Sequence, residues 1–250
     1  MNDTANQKVE CFYRDLYQTQ GEKAQRAYPN EELCRFIFGT FGHLPREERA
    51  KTRLLEVGVG VGGNLWMLTW EGFDVTGLDI CSQALELSRD TISRRCCPPA
   101  TLVEGNILNP PLEKGSFDAV IDIYCTHHLP FAQHVEAYSS IERLLKPGGR
   151  FFSFHPGTGS DAFRHCTEER IDAQTLCEIQ RDRSPYSGNP VFCFLSIPQA
   201  QKMLQEVGLE LEQHELAMRT YHQGEEHFET LVLTARKPLE PCAREGKCGE

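Results

Sequence analysis

Between residues 53 and 155 the chain alternates short, unbroken apolar runs with amphipathic stretches of helical length. Residues 53–57, 73–80, 100–107, 117–123 and 150–155 read as strands. Residues 64–71, 82–95 and 134–146 read as helices, the last stopped by Pro147-Gly148-Gly149. The strands are continuous apolar runs, as in Ala119-Val120-Ile121, rather than alternating ones. A sheet buried on both faces requires that texture, and strand–helix alternation with helical connections predicts a parallel, doubly wound α/β sheet.

The flanks read differently. Residues 9–20 carry Phe12, Tyr13, Leu16 and Tyr17 at helical spacing, and an apolar stretch over 33–41 follows the Tyr28-Pro29-Asn30 break. Residues 156–197 interrupt the rhythm with Gly, Pro, Ser, Asp and Arg around short apolar pieces such as Val191-Phe192-Cys193-Phe194-Leu195. A helix over 197–207 leads to two long strand patterns, 209–220 and 228–236, joined by a polar turn at Gln223-Gly224-Glu225. Such closeness predicts an antiparallel pair at the sheet edge. The expected organisation is a helical lid over 1–52, a main domain over 53–237 with an insertion at about 156–197, and a loose tail over 238–250.

Composition narrows the partners. The 250 residues carry 26 Lys+Arg against 36 Asp+Glu, a net charge of −10, which disfavours nucleic acid or an acidic membrane as the main partner. No run of 18 apolar residues exists and the first residues lack a signal-peptide pattern, so the expected location is cytoplasmic. The 11 cysteines include no CxxC; Cys96-Cys97 are adjacent, and Cys242 and Cys248 sit near the end. Reduced thiols and no metal site are expected.

The first strand ends in Glu56-Val57-Gly58-Val59-Gly60-Val61-Gly62, which puts bare backbone at the carboxyl edge of the sheet. Asp79 ends the next strand, 21 residues after Gly58, where a carboxylate can accept both hydroxyls of a ribose. Dinucleotides and S-adenosylmethionine both use this layout. A dianionic pyrophosphate is repelled by an acid such as Glu56 at the mouth of the loop, whereas a sulfonium and an ammonium are attracted.

On these residues the chain resembles the class I S-adenosylmethionine-dependent methyltransferases. Leu54 to Gly62 is similar to that family's first motif, and Gly77-Leu78-Asp79-Ile80 to its ribose-binding strand end. Phe117-Asp118-Ala119-Val120 with Thr126-His127-His128-Leu129 resembles its fourth-strand motif, and Leu144-Leu145-Lys146-Pro147-Gly148-Gly149 its turn into the fifth strand. The resemblance implies a Rossmann-like, seven-stranded, mostly parallel sheet with an antiparallel terminal pair, and S-adenosyl-L-methionine as cofactor. It implies cofactor contacts at Glu56, Gly58, Gly60, Gly62, Asn64, Asp79, Ile80, Asn106, Ile107, Asp122 and Ile123. Two departures stand out. Asn106 replaces the common adenine-side acid, and Cys81 stands where a capping serine is frequent, which leaves Ser82 to cap the next helix.

The activity expected is methyl transfer to an oxygen or nitrogen of a small molecule. A nicotinamide-dependent oxidoreductase and a non-catalytic S-adenosylmethionine-binding protein are the alternatives. Candidate bases follow the fourth and fifth strands: His127, His128 and His155. A packing role competes for each histidine. Tyr13, Tyr17, Tyr28, Tyr124, Arg164 and Tyr186 are the candidate substrate contacts, with amphipathic core packing the competing reading for the leader tyrosines. With His165, Arg181 and Arg183, the insertion reads either as a basic, aromatic surface suited to an anionic or polar molecule or as a solvated loop. Oligomeric state is not legible.

Overall fold

A computed structural model describes residues 2–167 and 169–239, with no account of the side chains of residues 2–4. The expected loose tail therefore lies, from residue 240 on, outside the described residues, as do Cys242 and Cys248. Helix α1 (Asn2–Gln20) leads through a short 3-10 turn (Gly21–Ala24) to α2 (Glu31–Phe41) and the single turn α3 (Arg46–Arg49). The central unit then runs β1 (Arg53–Val57), α4 (Leu65–Trp70), β2 (Asp74–Asp79), α5 (Ser82–Arg94), β3 (Thr101–Glu104), β4 (Phe117–Ile123), α6 (Phe131–Leu144) and β5 (Leu145–Pro156). After it come α7 (Asp161–Arg164), β6 (Thr175–Glu178), β7 (Pro190–Cys193), α8 (Ile197–Glu206), β8 (Glu210–Tyr221) and β9 (Glu226–Arg236).

Seven strands form one sheet in the order β3-β2-β1-β4-β5-β9-β8. The first five are parallel, and β9 runs antiparallel between β5 and β8. Successive strand residues point to opposite faces, so each apolar run serves two cores. Leu54, Ile121 and Phe152 pack with Leu33, Phe36 and Ile37 of α2 and Leu65 and Leu68 of α4. Leu55, Val120 and Phe151 pack with Tyr138, Ile141 and Leu144 of α6 and Met203 and Leu204 of α8. Each large apolar side chain so buried stabilises the fold by about 1.5–3 kcal/mol before conformational entropy is charged against it.

Local signals explain the helix starts. Asn30 caps α2, its side-chain oxygen accepting from the backbone of Glu32 at 2.8 Å and Leu33 at 3.1 Å. Ser196 and Gln199 form a reciprocal capping box ahead of α8. At α5 the cap position falls on Cys81, whose side chain makes no capping bond, and Ser82 is already helical. The expected serine cap is thus replaced, and Asp79 Oδ1 instead accepts from the Cys81 N–H at 2.9 Å.

Two segments depart from the sequence expectation. Strand β5 begins at Leu145 rather than after the Pro-Gly-Gly turn, because Leu145 already pairs with Phe117; the register shifts before Ala119 meets Arg150. The interrupted region 156–197 forms a small antiparallel sheet of β6 and β7. It closes over its own apolar cluster of Leu176, Phe192 and Phe194, to which Phe228 of β9 contributes. No helix among the described residues is long and apolar enough to cross a membrane. The chain order reverses between β1 and β4, which opens a crevice at their carboxyl ends.

Candidate functional site

The crevice floor is the turn after β1. Gly58 lies at φ +68°, and a Cβ there would sit 2.5 Å from Cβ of Cys125. Gly60 lies at φ +53° and touches the Gln25 side chain so closely that any Cβ would overlap it. Both positions need glycine for the left-handed backbone and for close approach. Asp79 ties the turn to β2: its Oδ2 accepts from the Gly60 N–H at 3.0 Å, while burial raises its pKa. Backbone N–H groups of Gly60, Cys81 and Ile80 engage this carboxylate, and its remaining acceptor capacity is open to a hydroxyl donor.

Glu56 is fully buried at the end of β1. Asn64 donates to its Oε1 at 2.5 Å, and its Oε2 has no partner. Burial pushes this carboxyl up to about 8, against the opposing pull of Asn64 and Arg26. The Asn64 oxygen accepts from Asn30 N–H at 2.9 Å and faces Arg26 Nη2 at 3.5 Å. One amide therefore couples the glycine turn to the leader.

Two cavities open above this floor. The first is lined by Tyr17, Asp79, Ile80, Asn106, Ile107 and His128, with Cys81 and Leu129 completing its apolar wall. The second, of about 550 Å³, holds Glu56, Asn64, Ile123, His127 and Tyr186, together with Arg26 and Arg219. Tyr13, Gln25, Gly58 and Tyr124 line both, so the two cavities share a wall. Tyr124 sits at φ +53°, an uncommon conformation for a bulky residue, and its hydroxyl meets Thr230 Oγ1 at 2.7 Å.

The histidines separate into different surroundings. Tyr13 and His128 Nε2 are 2.6 Å apart. His128 Nδ1 faces the carbonyls of Val191 at 3.0 Å and Pro190 at 3.3 Å. Carbonyls can only accept, so Nδ1 carries the hydrogen and Nε2 receives the Tyr13 hydroxyl. Burial pushes His128 down to about 4 and Tyr13 well above the usual phenol range, which keeps both neutral near pH 7. Val191 supplies its carbonyl from φ +45°, a strained setting for a β-branched residue. His127 lies on the second cavity with Nδ1 unpartnered, and burial holds it neutral too.

His155 faces neither cavity. Its Nε2 is 3.2 Å from His134 Nε2, and both Nδ1 atoms face carbonyls, of Pro156 at 3.0 Å and Pro130 at 3.2 Å. Burial lowers both pKa values. Two neutral imidazoles hold only two N–H groups, so at most two of these three contacts are hydrogen bonds at one time, and the pair packs beneath the site.

Several other sequence candidates are engaged in local structure or stand outside the two cavities. Asp122 is fully buried and organises the turn after β4: it accepts from the N–H groups of Cys125 and Thr126 at 3.1 Å each and from Thr126 Oγ1 at 2.5 Å. Gly62 packs against Ser88 of α5. Asn106 spends an oxygen lone pair on Leu108 N–H at 2.9 Å, so only its second is open to an adenine amine. Tyr28 is 72% exposed, with the Arg95 guanidinium over its ring. Arg164 is exposed on α7, away from both cavities. Arg181 and Arg183 are paired with Glu226 and Glu225.

Sequence reasoning missed Gln25, Arg26, Asn189, Arg219 and Tyr221, all on the second cavity. The one local signal for them was the polar run after α1; nothing near Arg219 in the sequence distinguishes it from an edge-strand surface charge.

The family model for the methyltransferase domain matches residues 55–153. Over 92% of its length the chain is 27% identical to 27-O-demethylrifamycin SV methyltransferase of Amycolatopsis mediterranei, and it covers 84% of that protein. An uncharacterized methyltransferase of Geobacillus kaustophilus is 27% identical over 63% of this chain and 73% of its own. Several other curated relatives are spanned over only 33–57% of their length. Among solved structures, an S-adenosylmethionine-dependent methyltransferase of Methanosarcina mazei superposes with a TM-score of 0.63. That pair is 20% identical over 76% of this chain and 94% of the other, a likeness of fold. With a glycine turn, an acid ending β2 and this sheet order in place, the chain carries a methyltransferase domain over residues 55–153 on the fold of an S-adenosylmethionine-dependent methyltransferase.

Proposed function

We propose that this chain transfers the methyl group of S-adenosylmethionine to an oxygen or nitrogen of a small molecule held in the second cavity. The observation that carries the reading is the common wall of Tyr13, Gln25, Gly58 and Tyr124 between a narrow cleft at Asp79 and a roomier polar cavity. Donor and acceptor can meet there without solvent between them.

The residues fit the cofactor. Bare backbone at Gly58 and Gly60 leaves room for close approach, Asp79 suits the ribose hydroxyls, and the unpartnered Glu56 oxygen suits an ammonium. Ile80, Asn106 and Ile107 form the adenine side. The cofactor supplies an activated methyl on a sulfonium. The chain then has to align a nucleophile, exclude water and receive a proton. Tyr13 is the assigned relay: its oxygen takes the acceptor's proton while its own passes to His128 Nε2, the imidazole being held in register by the Val191 carbonyl. Residues 1–52 act as the lid, since α1 brings Tyr13 and Tyr17 over the glycine turn. Asp122 and the His134–His155 pair support the relay loop from below.

Calorimetry tests this directly. S-adenosylhomocysteine should bind the purified chain, and NAD(H) should not; NAD(H) binding without S-adenosylhomocysteine binding would reverse the reading.

A further inference from the structure

Charge is distributed unevenly around the second cavity. In a chain of net charge −10, its wall carries two guanidiniums, Arg26 and Arg219, and one carboxylate, Glu56. Burial pushes that carboxylate up to about 8 against the pull of Arg26, which leaves it largely protonated near pH 7 in the free chain; in the methyl-transfer reading the donor's ammonium takes up its charge once the donor is bound. Arg26 reaches an amide oxygen, that of Asn64 at 3.5 Å, and feels Arg219 as a like charge. Arg219 meets Glu31 at 3.8 Å at the surface, both side chains more than half exposed, a pairing worth little that leaves most of the guanidinium fork free.

The arginines of the insertion provide the contrast. Arg181 is held at 2.6 Å by Glu226, which is fully buried, and Arg183 is held by Glu225. The basic character that the insertion shows in sequence is thus consumed in fixing it to β9. The less compensated cations line the cavity together with Tyr186, Tyr221 and Asn189.

We propose that the second cavity selects an anionic acceptor, whose phosphate or carboxylate group is gripped by Arg26, Arg219 and the Tyr186 and Tyr221 hydroxyls while its hydroxyl or amine faces Tyr13. Paired guanidinium forks match the planar or tetrahedral oxygens of such groups, and the phenols add donors without adding charge. The inference rests on the methyl-transfer reading, because it assigns the acceptor side of that reaction.

The test uses the chain saturated with S-adenosylhomocysteine, titrated with inorganic phosphate and, separately, with sodium acetate at low, constant ionic strength. Saturable binding of either anion is expected; tighter phosphate marks a phosphate-bearing acceptor, tighter acetate a carboxylate-bearing one. Arg219→Gln and Arg26→Gln should each weaken that binding about tenfold, and Arg183→Gln, at the paired arginine, should leave it within twofold. The Arg219 variant should retain S-adenosylhomocysteine affinity. If S-adenosylhomocysteine binds and neither anion does, or if Arg219→Gln and Arg183→Gln behave alike, the anionic acceptor is wrong while the methyl-transfer reading stands. If S-adenosylhomocysteine itself fails to bind, that underlying reading fails first.

Discussion

The two cavities that meet at Tyr13 and Gly58 are made by different means. The floor of the first comes from the glycine turn after β1, the end of β2 and the loops after β3 and β4, with α1 laid across it. Its polar groups are fixed by backbone: Asp79 by the N–H groups of Gly60 and Cys81, and the β4 turn by Asp122. The second is assembled from α1, the 25–30 segment, the loop before β7 and the β8–β9 pair. Its two cations, Arg26 and Arg219, are long side chains with few protein partners. A rigid, backbone-built cleft suits a ligand that never changes; a cavity lined by exchangeable side chains can be retuned to a new acceptor without disturbing the fold.

The comparison is broken most directly at the shared wall. Under the assignment of Tyr13 as proton relay, Tyr13→Phe removes the hydroxyl but keeps the ring against Tyr17 and His128. Turnover should fall by about 10²-fold or more, the usual scale of lost acid–base assistance, while S-adenosylhomocysteine affinity stays within about threefold. A parallel loss of both would show that Tyr13 belongs to the donor cleft alone.

Asp79→Ala should act the opposite way. It deletes a carboxylate that joins two strands' turns and, in the assignment above, the ribose acceptor. S-adenosylhomocysteine affinity should drop by about 10–150-fold, equivalent to about 1.5–3 kcal/mol, with anion binding in the second cavity little changed when the donor site is saturated. Unchanged donor affinity in this variant would remove β2 from the cofactor site.

Glu56 bears on both cavities, and its pH dependence has a definite sign. A carboxyl held at about 8 in the folded chain, against about 4.3 when unfolded, binds its proton more tightly when folded. Its contribution is therefore full below about pH 4 and is lost as pH rises toward 8. Urea unfolding of the ligand-free chain should show Glu56→Gln gaining stability relative to the parent between pH 5 and 8, by on the order of a few kcal/mol. Because an ammonium partner would ionise Glu56, donor binding near pH 7 should release a proton in the parent. The variant should lack that release, as measured from binding heats in buffers of different ionisation enthalpy. Equal proton release in both would take Glu56 out of the site.

What could be read in advance follows the same division. Strand β4 spans the very residues its apolar run marked, and β1 likewise, because a sheet buried on both faces leaves a local imprint. Gly58, Gly60 and Asp79 were legible for a related reason: a turn without Cβ atoms followed at fixed spacing by an acid is a local pattern. Arg26 and Arg219 left none. They are almost 200 positions apart, and only the sheet order places the edge strand beside the leader. Arg181 looked available in sequence because its partner Glu226 lies 45 residues on and becomes charge-neutralising only in the fold. His155 misled in the same way, since its partner His134 sits on a different element, α6.

The smallest expected effect concerns Tyr28, which stands beside the leader segment yet turns to solvent. Its ring is 72% exposed and carries the Arg95 guanidinium 5.6 Å from its centroid, while the same guanidinium also lies 4.9 Å from the Trp66 ring. An exposed contact of this kind is worth about 0.5–1 kcal/mol, and Trp66 remains to hold Arg95 when Tyr28 is removed. Tyr28→Ala should therefore shift stability by less than about 1 kcal/mol and leave donor affinity, anion affinity and turnover within twofold. A tenfold loss in turnover alone would mean that the leader closes further over the acceptor than this arrangement has it, carrying Tyr28 inward, and the lid would then have to include the 25–30 segment as a moving part rather than as a fixed wall.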